Sequence, residues 1–156
     1  MIAPRKEKRR AVGKTIVREE SPKYSAKGAA VLASKPGEAI AHVAKGLAFN
    51  ELEALRTEID EPLESLAHHL SISRSTLQRR RIERRLSTHE SDRVMRFWRL
   101  VRQAADLFGD IERARTWLKH PQYGLGGAIP LDYARTEIGA REVENLLGRI
   151  DYGVYS

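Results

Sequence analysis

The chain lacks cysteine altogether and has few aromatic residues, with two Trp, five Tyr and three Phe among 156 residues. The absence of cysteine excludes a disulfide framework and cysteine-ligated zinc. No run approaches the roughly 18 consecutive apolar residues that a transmembrane helix needs. The first residues are charged and then polar, without the apolar core of a signal peptide. We therefore expect a cytoplasmic protein with an aliphatic core and no membrane partner.

Residue patterns typical of enzymes are also missing. There is no G-x-S-x-G motif, and no carboxylate falls within an otherwise apolar stretch that would shift its pKa. None of the five histidines forms an i, i+4 pair, and the adjacent His68 and His69 point about 100° apart on a helix. The glycine-rich residues 122–129 lack the Lys-Ser or Lys-Thr of a P-loop and predict a tight loop. We predict no catalytic residue, no cofactor and no metal.

Positive charge is abundant and unevenly distributed. The chain has 28 Lys and Arg against 21 Asp and Glu, for a net charge of +7. Residues 1–27 contribute +6 and residues 74–85 contribute +5, so the rest of the chain carries −4 of that total of +7. Concentrated positive charge favours a polyanionic partner such as nucleic acid, because neutralised phosphates release counterions. The alternative is a solvated face with a floppy basic tail.

The segment from Pro62 to Arg85 has the pattern of two short helices joined by a tight polar turn. Apolar residues recur at intervals of three and four in its first half: Leu63, Leu66, Ala67 and Leu70. Ser73 is a suitable N-cap for the second helix, and Ile72 and Leu77 supply apolar contacts that pack it across the first. A second helix rich in arginine then faces outward. This arrangement is the helix-turn-helix pattern that reads a major groove of DNA.

We expect the outward side chains of the second helix to contact DNA. The predicted residues are Ser73, Arg74, Ser75, Gln78, Arg79, Arg81 and Arg84. Those in the first turns, from Arg74 to Arg79, are placed to read base edges. Arg81 and Arg84, with Arg85, are expected to contact phosphates and set the register. Arg80 stands where an apolar residue would seal the helix pair, so its aliphatic stem is expected to cover that gap.

The rest of the chain reads as helical, and we expect an all-α fold. The longest helix is predicted from Glu90 to Phe108. Another helix is predicted to begin at Pro130, with Ile138 inward and Gly139 as its stop, before a last helix over residues 140–150 that breaks at Gly148. We divide the chain into a flexible basic arm at 1–27, a helix-turn-helix region at 28–89 and a C-terminal domain at 90–156.

Ordered motifs in the C-terminal third resemble a known family. They are Glu90-Ser91-Asp92-Arg93, Phe108-Gly109-Asp110, Ala114-Arg115-Thr116-Trp117-Leu118, Leu125-Gly126-Gly127, Pro130-Leu131-Asp132, Leu146-Leu147-Gly148-Arg149-Ile150 and Asp151-Tyr152-Gly153-Val154-Tyr155-Ser156. With the helix-turn-helix, they resemble the Xre-type antitoxins of bacterial RES–Xre toxin–antitoxin systems over roughly residues 47–156. The basic arm lies outside this resemblance.

The resemblance implies a partner, a RES-domain toxin that degrades NAD+. It also implies that the C-terminal domain binds the toxin with its end at or in the toxin's active-site cleft, and that the complex represses its own operon through the helix-turn-helix. The residues expected to bind the toxin are Trp117, Arg149, Asp151, Tyr152, Val154, Tyr155 and Ser156. Palindromic operator half-sites require two-fold symmetry, so we expect a homodimer within a larger toxin–antitoxin complex.

Two other functions remain open from the sequence. The chain would be a stand-alone helix-turn-helix transcriptional regulator if it had no toxin partner. It would be a scaffold if its C-terminal domain served only to dimerise it. The neighbouring open reading frame discriminates these possibilities, because only a toxin would halt growth when expressed alone.

Overall fold

The structure is a computed structural model that describes residues 27–153. All but one residue of the expected basic arm, and residues 154–156, lie outside the described part. The α-helices are α1 (Lys27–Ala33), α2 (Pro36–Lys45), α3 (Phe49–Ile59), α4 (Leu63–His69), α5 (Arg74–Glu83), α6 (Thr88–Phe108), α7 (Ile111–Lys119), α8 (Pro130–Tyr133) and α9 (Glu137–Asp151). A single 3₁₀ turn spans Tyr123–Leu125. The all-α prediction is confirmed for these residues, and none of their helices is long and apolar enough to cross a membrane.

Helix α6 is the centre of the molecule. It packs against α1, α2, α3, α7 and α9, and its inward side chains are almost fully buried: Val94, Phe97, Trp98, Leu100, Val101, Ala104 and Ala105. Each large apolar side chain removed from water in this way contributes about 1.5–3 kcal/mol. The prediction of one long apolar helix is confirmed, with its start two residues earlier than expected. Ser87 caps that start, and Gly109 ends the helix in the left-handed conformation (φ 68°).

A backbone link fixes the entry to α3 against the exit from α5. The Phe49 amide donates to the Arg84 carbonyl (3.0 Å), and the Leu86 amide donates to the Leu47 carbonyl (2.8 Å). Gly46 makes this approach possible, since a Cβ there would lie 2.2 Å from the Leu86 carbonyl oxygen. The link closes a loop around α3, α4 and α5, and so fixes the helical hairpin relative to the body.

The helices near the C-terminal end differ from the prediction. Helix α8 ends at Tyr133, so Gly139 does not stop it. Gly139 lies instead in the first turn of α9, where its amide donates to the capping Thr136 hydroxyl (3.1 Å). Ile138, expected to face inward, is 78% exposed. Gly148 does not break the last helix either, because α9 runs through it to Asp151. Glycine at both positions was misread as a helix end.

Candidate nucleic-acid interface and C-terminal binding surfaces

The helical hairpin predicted from Pro62 to Arg85 is present as α4 and α5. Its apolar residues are buried in the common core: Leu63, Leu66, Ala67, Leu70, Ile72 and Leu77. The Ile72 amide donates to the Ala67 carbonyl (2.8 Å) across the turn. Ser71 takes a left-handed conformation (φ 54°), which lets the chain reverse without glycine at a cost in strain. The two helices therefore meet as the sequence predicts.

Polar contacts hold the turn and the start of α5. The Ser73 hydroxyl accepts a hydrogen bond from the Thr76 amide (3.2 Å), which confirms Ser73 as the N-cap. From α6, the Arg93 guanidinium donates to the carbonyls of Leu70 (3.2 Å) and Ser71 (3.3 Å). Those carbonyls would otherwise lack partners at the end of α4. The first turn of α5, where base-reading side chains lie in such motifs, is thus fixed from two sides.

The structure places all seven predicted DNA-contacting residues at exposed positions along α5 and its ends. Arg79 lies 3.9 Å from Glu83, a long contact between two solvated side chains. Arg84 follows the helix in a left-handed conformation (φ 58°). Arg85, in contrast, donates to the carbonyls of Lys45 (3.1 Å) and Gly46 (2.8 Å), so its guanidinium already has protein partners at the end of α2.

Arg80 faces the opposite way from its arginine neighbours. Its side chain is only 18% exposed and donates to Glu90 (2.7 Å) and to Glu83 (2.6 Å). Glu90 also accepts from the Ser87 amide (2.8 Å), completing the capping box of α6. Burial alone would raise the pKa of the Glu90 carboxyl, but the hydrogen bonds from Arg80 and Ser87 outweigh it, so the pKa lies below its usual value. The pair joins the second hairpin helix to the central helix.

Replacing Glu90 with glutamine should destabilise the protein by about 1.5–3 kcal/mol at pH 7, because it removes a charged hydrogen bond from a nearly buried pair. A depressed carboxyl pKa contributes stability above its ordinary value of 4.5 that is lost as the pH falls through the lower folded value. The difference between wild type and Glu90→Gln should therefore shrink below about pH 4. Urea unfolding at pH 7 and pH 3.5 measures it.

Arg79→Met serves as the control for this pair. Its side chain is solvated and its only carboxylate contact among the described residues is the long one to Glu83, so its stability should change by less than about 0.5 kcal/mol at either pH. A Glu90→Gln penalty of equal size at both pH values would show that the charge of Glu90 is not what holds α5 to α6.

The first C-terminal concavity is a shallow apolar groove of about 420 Å³ beside the end of α6. Trp117 and Phe108 form its floor, with ring centroids 6.0 Å apart, and Arg113 and His120 lie at its rim. Trp117 is half-buried, and Gln122 donates to its carbonyl (2.8 Å). The predicted site residue Trp117 thus presents an aromatic edge on an open surface of the C-terminal half.

A second cavity, of about 560 Å³, lies on the other side of the same helix end. Leu32 from α1, Arg99 and Asp106 from α6 and Asp151 from α9 contribute to its walls. The structure therefore places Trp117 and Asp151 in two separate concavities that flank the end of α6. A sequence reading had no means of separating them, because the packing of α7 and α9 on α6 decides it.

The predicted residues at the end of α9 differ in their environments. Arg149 is half-buried, and its Nε has no hydrogen-bond partner among the described residues. Asp151 is exposed, and Tyr152 is 85% exposed just beyond the helix. Gly153 turns the backbone with φ 70°. The other predicted residues, Val154, Tyr155 and Ser156, lie outside the described residues.

The hairpin and the C-terminal half are tied by side chains as well as by α6. Arg115 of α7 donates to the Glu58 carbonyl at the end of α3 (2.6 Å), and His69 Nδ1 of α4 lies 3.0 Å from the Asp132 carboxylate of α8. Both contacts join segments far apart in sequence. Within residues 27–153, no three potential ligands are grouped to hold a metal ion.

Sequence reasoning missed the role of Glu90. The pattern Ser87-Thr88-His89-Glu90 is a capping box, a local signal that was available from the sequence. Its second role, as the partner of Arg80, had no local signal because it depends on the angle between α5 and α6.

Two family matches cover most of the described chain. Residues 38–109 match the family described as "Antitoxin Xre-like helix-turn-helix domain". Residues 103–153 match the "Antitoxin Xre/MbcA/ParS C-terminal toxin-binding domain". The two matched ranges overlap within α6.

Individual relatives carry related names. Over 85 residues the chain is 45% identical to "Antitoxin Xre" of Yersinia enterocolitica, covering 54% of this chain and 57% of that protein. Over 73 residues it is 44% identical to "Antitoxin Xre" of Photorhabdus laumondii, covering 46% of this chain and 49% of that protein. These matches thus span about half the length of both relatives. Over 137 residues it is 26% identical to a Sphingobium protein named "Prs ADP-ribosylating antitoxin", covering 81% of this chain and 86% of that protein.

Proposed function

Because the chain belongs to the Xre-like antitoxin family, which joins a helix-turn-helix domain to an Xre/MbcA/ParS C-terminal toxin-binding domain, we propose that it neutralises a RES-domain toxin that degrades NAD+. It does so by binding the toxin with its C-terminal half, and it represses its own operon through α5. It acts by binding rather than by catalysis. The supporting observation is that one body exposes an arginine-rich face on α5 and two open concavities at the end of α6.

The DNA-binding half of this proposal rests on the outer face of α5. Arg74, Ser75, Gln78 and Arg79 are exposed in its first turns and read base edges. Arg81 and Arg84 contact phosphates, which adds affinity and salt dependence. Two copies of the chain bind the two halves of a palindromic operator as a homodimer within the toxin–antitoxin complex.

The toxin-binding half of this proposal rests on the C-terminal surfaces. Trp117 offers an aromatic side chain in an open groove, the type of residue that often dominates the binding energy of an interface. Tyr152 projects beyond α9 almost fully exposed, next to the Asp151 carboxylate. A segment that carries a ring and a negative charge is suited to a cleft that holds a nicotinamide and its phosphates. Residues from Arg149 to Ser156 therefore occupy the toxin's active-site cleft.

A second candidate for the toxin's chemistry follows from the name of the Sphingobium relative, which contains the words "Prs ADP-ribosylating". ADP-ribosyl transfer also consumes NAD+, but it leaves the ADP-ribose on an acceptor instead of releasing it. Both chemistries place an NAD+-binding cleft on the partner. The same antitoxin surface would therefore serve either of them.

Expression of the neighbouring open reading frame, alone and together with this chain, tests the proposal. The partner alone should halt growth and lower cellular NAD+, and co-expression should restore both. Free ADP-ribose indicates hydrolysis, whereas an ADP-ribosylated protein detected by mass spectrometry indicates the second chemistry. Continued arrest with both proteins present would instead favour a stand-alone regulator.

A further inference from the structure

An isoleucine occupies the centre of the DNA-facing side of α5. Ile82 is 83% exposed. With about 100° between successive helical residues, it projects about 140° from the buried Leu77 and about 160° from Arg80, the two side chains that hold α5 to the body. Ile82 therefore points away from the body, nearly opposite the packed side of its helix.

The neighbours of Ile82 on that face are the residues proposed to read bases. Gln78 and Arg79 lie four and three positions before it, so their side chains are adjacent to it on the helix surface. Ser75, seven positions before, has nearly the same direction, about 20° away. The distance from Ser75 to Ile82 along the axis is about 10 Å, which corresponds to roughly three base-pair steps at ~3.4 Å each. Ile82 thus extends the reading face by one turn.

The surroundings of this face are basic. Arg74, Arg79 and Arg81 are exposed around Ile82, and the nearest acid, Glu83, is engaged by Arg80 at 2.6 Å. A single exposed isoleucine needs no explanation on an ordinary surface. Here it lies within a ring of free cations, which favours a polyanionic surface that offers one apolar group at the centre. The major groove of DNA meets this description, because its apolar group is the 5-methyl of thymine.

Resting on the DNA-binding part of the proposed function, we propose that Ile82 is a specificity-determining residue that contacts a thymine 5-methyl group in the major groove. Its branched side chain has no hydrogen-bonding atom and cannot pair with the donors and acceptors of the other bases. It therefore selects an A·T pair with the thymine on the contacted strand. Gln78 and Arg79 read the flanking positions by hydrogen bonds.

A methyl-deletion cycle on DNA and protein tests this contact. A duplex is first selected from a random-sequence pool by the full wild-type chain, and each of its thymines is then replaced singly by deoxyuridine, which keeps the pairing and removes only the methyl group. At one position in each half-site, wild-type binding should weaken by roughly fourfold, the loss expected for one buried methyl-sized group. Ile82→Ala should bind the unmodified duplex correspondingly less tightly and should no longer respond at that position. Ile82→Val should retain most of the response.

Matched variants separate this role from others. Ile138→Ala removes an isoleucine of similar exposure (78%) from α9, and it should show the wild-type response at every position. Ile82→Ala should fold normally, since the side chain is exposed and alanine favours helix. The inference is overturned if Ile82→Ala keeps the wild-type sensitivity to deoxyuridine, or if it changes the oligomeric state in analytical ultracentrifugation, which would assign the residue to a protein contact. If the wild-type chain enriches no duplex, the DNA-binding function itself fails, and the role of Ile82 fails with it.

Discussion

Ending the chain after Asp151 is expected to abolish neutralisation of the toxin and to leave operator binding unchanged. The deletion removes Tyr152, which is 85% exposed, and the segment proposed to enter the toxin's cleft. It removes no buried side chain among the described residues, and its main described contact is the bond from the Tyr152 amide to the Gly148 carbonyl (3.0 Å). The fold should therefore survive while the plug is lost. Growth during co-expression with the toxin measures neutralisation, and fluorescence anisotropy with operator DNA measures DNA binding.

A second deletion locates the effect. A chain that ends after Gly153 keeps Tyr152 and loses only residues 154–156, so intermediate protection would divide the plug between the two parts. Both deleted forms should unfold at the wild-type temperature, which excludes misfolding as the cause. If the form ending at Asp151 still rescued growth, the tail would not be the neutralising element, and the surface around Trp117 would be the remaining candidate.

Replacing Gly139 with alanine is expected to destabilise the protein by at least about 3 kcal/mol, near the upper range for overpacking. A Cβ at this position would lie 1.7 Å from the Tyr133 carbonyl oxygen and 2.8 Å from its carbon. Both are backbone atoms of the turn that ends α8, so no side-chain rotation relieves the overlap. The Tm should fall by about 10 °C for a chain of this size, as followed by circular dichroism.

Gly148→Ala provides the matched control in the same helix. No heavy atom lies within 4 Å of the Cβ that alanine would add there, and α9 is helical on both sides of it. Alanine should therefore stabilise the protein by about 0.5–1 kcal/mol through helix propensity alone. The same substitution should thus have opposite signs nine residues apart. A mild effect at Gly139 would mean that α8 and α9 meet less closely than the structure indicates.

The helical hairpin could be predicted because its signals are local. Leu66 and Leu70 mark one face of α4, and Ser73 marks the start of α5, within a few residues of the contacts that they make. The orientation of Arg80 was partly accessible as well, since its position on the helix wheel points inward. Its ion pair with Glu90 was not, because ten residues and a change of helix direction separate the two side chains.

Glycine was the source of the errors at the C-terminal end. Gly109 does end a helix, in the left-handed conformation that favours glycine. Gly139 is required for a different reason, the close approach of the Tyr133 backbone, and Gly148 meets neither condition. One sequence signal thus has three structural meanings, and only the packing of neighbouring segments distinguishes them. The separation of Trp117 from Asp151 had the same origin.

The central position of α6 has a consequence for how the two activities can be separated. Its middle turns bury side chains against α3 of the hairpin and against α7 and α9 of the C-terminal half, and Arg115 and His69 add links between the halves. Cutting the chain near residue 90 would leave the hairpin without the helix that covers α3, and would expose apolar surface on both fragments. The amides of α6 should then exchange with solvent only when the whole molecule opens. A chain built this way gains or loses its grip on DNA and on toxin in the same unfolding event.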